Sequence, residues 1–109
     1  MRLKELGDKL ELKGVTQVFD RDVSGVYISD MVSDVIANSK PGNLLVTIQI
    51  HGNVIAAANL VDSSGIIVTQ GKQPAPEVIK MAEKAEIAIL TTPLHQWQVA
   101  TKLYECGIR

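Results

Sequence analysis

The sequence predicts an α/β domain: three layers, α/β/α, around a mostly parallel central sheet with room for one antiparallel edge strand. Three observations carry this. After Gly25, strand-like and helix-like segments alternate four times, the rhythm of βα units with crossover helices. The strand segments, "NLLVTIQI" and "GIIVTQG" above all, are apolar runs rich in β-branched residues, as strands covered on both faces are. The junctions carry helix punctuation: Asp30 before one helix, Pro76-Glu77 opening another, Gly107 closing the last.

Each element follows in order. "RLKELGDKLEL" spaces Leu3, Leu6 and Leu10 for a short helix capping the core, weakened by Gly7. Gly14 precedes "VTQVF", a predicted strand, and the turn "DRDVSG" leads to a second, "VYIS". These two lie close in sequence and are placed to pair antiparallel at a sheet edge. Asp30 is suited to cap "MVSDVIANS", whose Met31, Val32, Val35 and Ile36 form one apolar stripe that Pro41-Gly42 ends. "NLLVTIQI" is a strand. "NVIAAANLVD" is a short helix with almost no polar face, and "GIIVTQG" the next strand. Pro76 sits where a first helical turn accepts proline, with Glu77 favoured by the helix dipole, and "EVIKMAEKA" continues the helix. The strand "IAILTT" follows. Thr92 as cap and Pro93 as first residue open the helix "LHQWQVATKLYEC", which Gly107 stops. Helices are expected on both faces of the sheet. No linker or low-complexity segment divides the 109 residues, so 1–109 is expected to be a single domain.

Composition narrows the function. A net charge of −1, with basic residues scattered and aromatics at 4%, argues against nucleic acid as partner, since neither a phosphate-binding stripe nor a stacking platform is present. Cys106 stands alone, and His51 and His95 are distant, so neither a disulfide nor a metal site is expected. No apolar run is long enough for a membrane span, and the amino-terminal segment lacks a signal-peptide core; a cytoplasmic location is expected.

Catalytic patterns are missing. "TQGKQP" supplies Gly-Lys but follows it with Gln73, which has no hydroxyl for magnesium, so there is no P-loop. Neither G-x-G-x-x-G nor G-x-S-x-G occurs. Ser63-Ser64-Gly65 reads as a loop before a strand, and Cys106 as a small packing residue. Trp97, Thr101 and Tyr104 share one helical face with Leu94, and Val99, Leu103 and Cys106 widen the apolar arc; this helix is expected to pack on the sheet, the competing reading being that Trp97 anchors a partner. Ligands in open α/β sheets sit outside the carboxyl ends of the strands. The segments reaching that rim are Ser29-Asp30, His51-Gly52-Asn53, Thr69-Gln70-Gly71 and Thr91-Thr92. They offer hydroxyls, amides and glycines suited to a phosphate or small polar ligand. Only Asp30 is acidic, and His51 has no partner acid, so acid–base hydrolysis is poorly equipped.

From "VYISDMVSDVIANSKPGNLLVTIQIHGN" through "AEIAILTT" the chain resembles the DRTGG domain, named for an Asp-Arg pair after one strand and Thr-Gly-Gly after the next. The resemblance rests on Pro-Gly before a strand, an apolar helix, a strand ending in Thr-x-Gly, Pro and an acid opening a helix, and "ILTT". It also extends to the amino-terminal domain of HPr kinase/phosphorylase, though not to its catalytic domain, which agrees with the missing P-loop. Here Gly52-Asn53 replaces Asp-Arg, and Gln70 replaces the first Gly between Thr69 and Gly71. His51-Gly52-Asn53 therefore reads first as a strand-to-helix turn, with Asn53 as cap. The resemblance implies a compact α/β/α regulatory or dimer-forming element, of the kind found beside phosphotransacetylases and CBS-domain pyrophosphatases.

Two functions follow as expectations. One is a non-catalytic regulatory or assembly module that forms a homodimer and acts on a protein encoded nearby; its motive is the apolar "NVIAAANL" helix, which must be covered either by the sheet and neighbouring helices or by another subunit. The other is a sensor of a nucleotide or phosphate compound, binding at the strand ends without metal or cofactor.

Overall fold

The computed structural model describes residues Met1–Arg109. Its elements are α1 (Leu3–Lys9), β1 (Lys13–Gly14), β2 (Gly25–Ile28), α2 (Val32–Asn38), β3 (Asn43–Thr47), α3 (Gly52–Leu60), β4 (Gly65–Val68), α4 (Pro76–Lys84), β5 (Ile89–Thr91) and α5 (Gln96–Glu105). The five strands form one sheet in the order β1-β5-β4-β3-β2. β2 through β5 are parallel neighbours, and β1 joins antiparallel to β5. The expected class, a mostly parallel sheet with one antiparallel edge, is the class found.

Alternation along the strands divides the core in two. Leu44, Val46, Ile67 and Leu90 point to a face covered by Leu3, Leu6 and Leu10 of the amino-terminal helical segment and by Val99 and Leu103 of α5. Leu45, Ile66, Val68 and Ile89 point to the other face, covered by Val35 of α2, Val54, Ile55, Ala57 and Ala58 of α3, and Val78 and Ala82 of α4. The leucine spacing of α1 thus does what it implies. Gly7 also has a reason: a Cβ there would lie 3.1 Å from Leu90 Cδ2, so its absence lets α1 seat on the sheet.

Several local expectations are corrected. "VTQVF" is not a regular strand. The ladder covers only Lys13 and Gly14, and pairing fades into one main-chain bond from Val15 and one through the Thr16 hydroxyl, both to Ile89. A side chain has replaced the backbone acceptor, which ends the ladder. Nor does this segment pair with "VYIS"; it lies at the opposite edge of the sheet from β2. Met31 and Ile36 are exposed while Val35 is buried, because α2 has seven residues and presents only a narrow face to the sheet.

The "NVIAAANL" helix is covered within its own chain. α3 lies between α2 and α4 and seats four residues against the sheet. Its small alanines allow that close approach, and Leu60 is left exposed at its end. α5 begins three residues later than Pro93 would set it, at Gln96, where the Gln98 side chain accepts from the His95 N–H. Thr92 Oγ1 instead accepts from Leu94 N–H, one turn upstream.

Candidate functional site

β4 leads to α4 on one face of the sheet, whereas β5, its neighbour, leads to α5 on the other. Adjacent loops that part in this way open a crevice outside the strand ends, the usual ligand position in such sheets. Here the parting is bridged by main chain. The Gln70 N–H donates to Leu94 O at 2.8 Å, and the Gly71 N–H to Thr92 O at 2.9 Å. Gln70 and Gly71 reach these acceptors in the left-handed region, φ 61° and 69°. Glycine holds that conformation without a Cβ penalty, whereas Gln70 holds it at a cost that the bridge offsets.

Beneath the bridge lies a band of buried threonines at the ends of β3, β4 and β5: Thr47, Thr69, Thr91 and Thr92. Thr69 Oγ1 donates to Thr47 O at 3.5 Å and Thr91 Oγ1 to Lys13 O at 3.4 Å. These hydroxyls are turned into the protein.

Asp30 organises the other end of the rim. Its Oδ1 accepts from Thr47 Oγ1 (3.1 Å), the Ile48 N–H (2.8 Å) and Gln96 Nε2 (2.7 Å), and its main-chain carbonyl accepts from Gln49 Nε2 at 2.8 Å. It does not cap α2; the cap position is Met31, whose N–H donates to Ser29 Oγ at 3.2 Å. One carboxylate thus ties the β2–α2 loop, the β3–α3 loop and the start of α5 together. Thr47, Gln49 and Gln96 belong to this cluster and had no motif to announce them; only the strand-end position of Thr47 was a signal.

His51-Gly52-Asn53 stands apart on the outer face of the rim. His51 is the exposed residue before α3, and Asn53 lies within the helix and does not cap it. Gly52 is where α3 meets α4: a Cβ would come within 3.0 Å of both Cε and Sδ of Met81. Of the ten rim residues, only Thr92 lines a surface depression, one of about 260 Å³ shared with Lys9, Leu10 and Lys102. Nowhere do three or more His, Cys, Asp or Glu side chains gather as a metal ion would require.

The largest concavity lies elsewhere. A groove of about 450 Å³ runs along the outer face of α5, lined by Trp97, Ala100, Thr101, Tyr104 and Glu105. Trp97 is 73% and Tyr104 61% exposed, so this face does not pack on the sheet; Val99 and Leu103 do.

The sequence signature of the DRTGG domain matches residues 12–106. The chain belongs to the DRTGG domain family. No curated protein matches this DRTGG domain. Among solved structures it is similar to the CBS and DRTGG domains of the regulatory region of Clostridium perfringens pyrophosphatase, complexed with the activator diadenosine tetraphosphate. The TM-score is 0.70 at 19% identity, a likeness of fold, over 93% of this chain and 45% of that one. The present DRTGG domain therefore spans less than half of the clostridial chain.

Proposed function

We propose that residues 1–109 form one regulatory module that acts without catalysis, by associating with a second copy and with a partner protein. Membership of the DRTGG family and likeness in fold to part of a pyrophosphatase regulatory region support a regulatory role. One observation carries the preference for association over chemistry. The polar groups of the rim are bonded to one another, Asp30 to three donors and the β4–α4 loop to the β5–α5 loop, while the aromatic groups of α5 face solvent. A carboxylate already holding three donors is a poor general base, and His51 has no acid beside it. Light scattering across the micromolar range is the test. A mass above the 11.8 kDa of the single chain is expected. A strict monomer that turns over a substrate, with activity lost in His51→Ala, would overturn the reading.

A second reading has its own support. The clostridial region is complexed with a dinucleotide activator, and the rim here presents the glycines and amides that approach phosphates. In this reading Ser29, Asp30, His51, Gly52, Asn53, Thr69, Gln70, Gly71, Thr91 and Thr92 form the binding edge for a nucleotide or phosphate compound. Thermal unfolding with adenine nucleotides and diadenosine tetraphosphate separates the readings. A ligand at 100 times its dissociation constant adds about 2.7 kcal/mol, and no shift with any of them would leave association as the sole reading.

A further inference from the structure

We infer that the outer face of α5 is the surface on which two copies of this chain meet, as an antiparallel pair of α5 helices about a two-fold axis. This rests on the reading of the chain as an associating module and names the surface and the occupant.

The face has a large-small-small-large order: Trp97, Ala100, Thr101, Tyr104. These positions are three, one and three residues apart, so they form one stripe on a helix. An axis passing between Ala100 and Thr101 maps the stripe onto itself. Trp97 of one copy then lies on Tyr104 of the other, and Ala100 on Thr101. The small central residues let the helices approach closely, and each copy seats in the groove between the other's two aromatics. A two-fold contact demands this self-complementarity, and two-fold dimers are the commonest oligomers. A different protein would not need it.

Polar groups agree with the same pairing. Glu105 lines the same groove and supplies a carboxylate at its Tyr104 end, the end that the second copy's Trp97 enters. Arg109 stacks on Tyr104 at 3.8 Å from the ring centroid and holds the Tyr104 carbonyl at 2.6 Å. One face of that ring is thus covered before the partner arrives.

Area sets the strength. Aromatic side chains bury about 150–250 Å² each, so four of them, 73% and 61% exposed in the free chain, withdraw on the order of 500 Å². That is less than half of the about 1,200 Å² at which specific, stable interfaces begin, so the contact belongs with small, transient ones. The dimer should therefore be reversible, forming as the protein is concentrated and dissociating on dilution.

The test is sedimentation velocity across a concentration series with the wild type, Ala100→Glu and the double variant Trp97→Ala/Tyr104→Ala. Circular dichroism checks the fold of each, which should persist because none of these side chains is buried. The wild type should dimerise, and both variants should weaken association at least about tenfold, since central aromatics dominate such contacts. A third variant locates the axis: Ala100→Cys in a Cys106→Ser background should oxidise to a covalent dimer, whereas cysteine at the exposed Glu83 should not. A dimer that survives Ala100→Glu and is not trapped by the new cysteine overturns the surface while leaving self-association intact. A monomer at every concentration overturns both.

Discussion

Asp30 shows how one side chain can hold a rim together without being buried. Its carboxylate gathers a hydroxyl and a main-chain N–H from the end of β3 and an amide from the start of α5. Hydrogen bonds to charged groups contribute about 1.5–3 kcal/mol when sheltered, and exposure lowers that figure. Asp30→Ala should therefore cost about 1–2 kcal/mol in urea unfolding. Gln96→Ala, which removes one donor and leaves the others, should cost less. Equal losses in the two variants would mean that the Gln96 bond alone matters. The neighbouring Asp34 makes a prediction about pH. The Ser29 hydroxyl, the Asn38 amide and the Tyr27 phenol hold its carboxyl below the usual 3.8. A group whose pKa is lowered by folding stabilises the fold above its unfolded pKa and loses that contribution as pH falls through the folded value. The stability gap between wild type and Asp34→Asn should thus be full at pH 5–7, start to narrow near pH 3.8 and close only as pH falls through the lower folded value. The same bond, donated by Tyr27 OH at 2.8 Å, raises the phenol above 10, so its contribution fades only as pH rises beyond 10. A gap that stays constant from pH 6 to pH 2 would remove Asp34 from this role.

At the scale of elements, the turns test whether backbone conformation or space dictates glycine. Gly42 has φ +83°, and a Cβ there would collide with Ser24 Oγ, whereas Gly71 has φ +69° with open space around it. Gly71→Ala should cost only the left-handed penalty, about 1–2 kcal/mol. Gly42→Ala should cost more, about 2–3 kcal/mol, because the collision adds to it. Chemical denaturation of the pair measures the difference directly. The same distinction explains what the sequence disclosed. Pro76-Glu77 and Gly107 marked helix ends because their chemistry is local: proline occupies the first turn of α4, and Gly107 takes φ +92° after α5. The continuous apolar runs "NLLVT" and "GIIV" disclosed a sheet covered on both sides, and every residue of β4 is buried. The position of β1 was not legible. "VTQVF" has strong strand propensity, yet Thr16 supplies a side-chain acceptor to Ile89 and the ladder stops. Its place beside β5, at the edge opposite β2, is a long-range fact with no local sign. For the rim, Ser29, Asp30, His51, Thr69, Gln70, Gly71 and Thr92 lie in loops after strands, whereas Thr91 ends β5 and Gly52-Asn53 open α3; the Asp30–Gln96 bond spans 66 positions and carries no spacing signal. The α5 face was visible as a stripe. Which stripe turns inward depended on whether Val99 and Leu103 or Trp97 and Tyr104 meet the sheet, and periodicity alone leaves both open.

At the scale of the whole molecule, size and surface combine into one measurable property. A chain of 109 residues buries a modest core, split here between two faces of a five-stranded sheet, so its stability has little margin. Any association that favours the folded state must then show in its melting temperature. A dimer with a dissociation constant of ~30 μM is mostly dissociated at ~5 μM and mostly formed at ~200 μM, so the wild-type melting temperature should rise by about 2–5 °C between those concentrations. Ala100→Glu, folded but unable to pair, should melt at one temperature throughout, equal to the wild-type value at the dilute limit. This comparison separates association from intrinsic stability, because a substitution that merely weakened the fold would lower the melting temperature at every concentration and leave the slope unchanged. A ligand held at the rim has a different signature. It raises the melting temperature of wild type and Ala100→Glu alike, and its effect follows ligand concentration and not protein concentration. The two slopes, measured on the same pair of proteins, therefore assign regulatory coupling either to the α5 face, to the strand-end rim, or to both acting together.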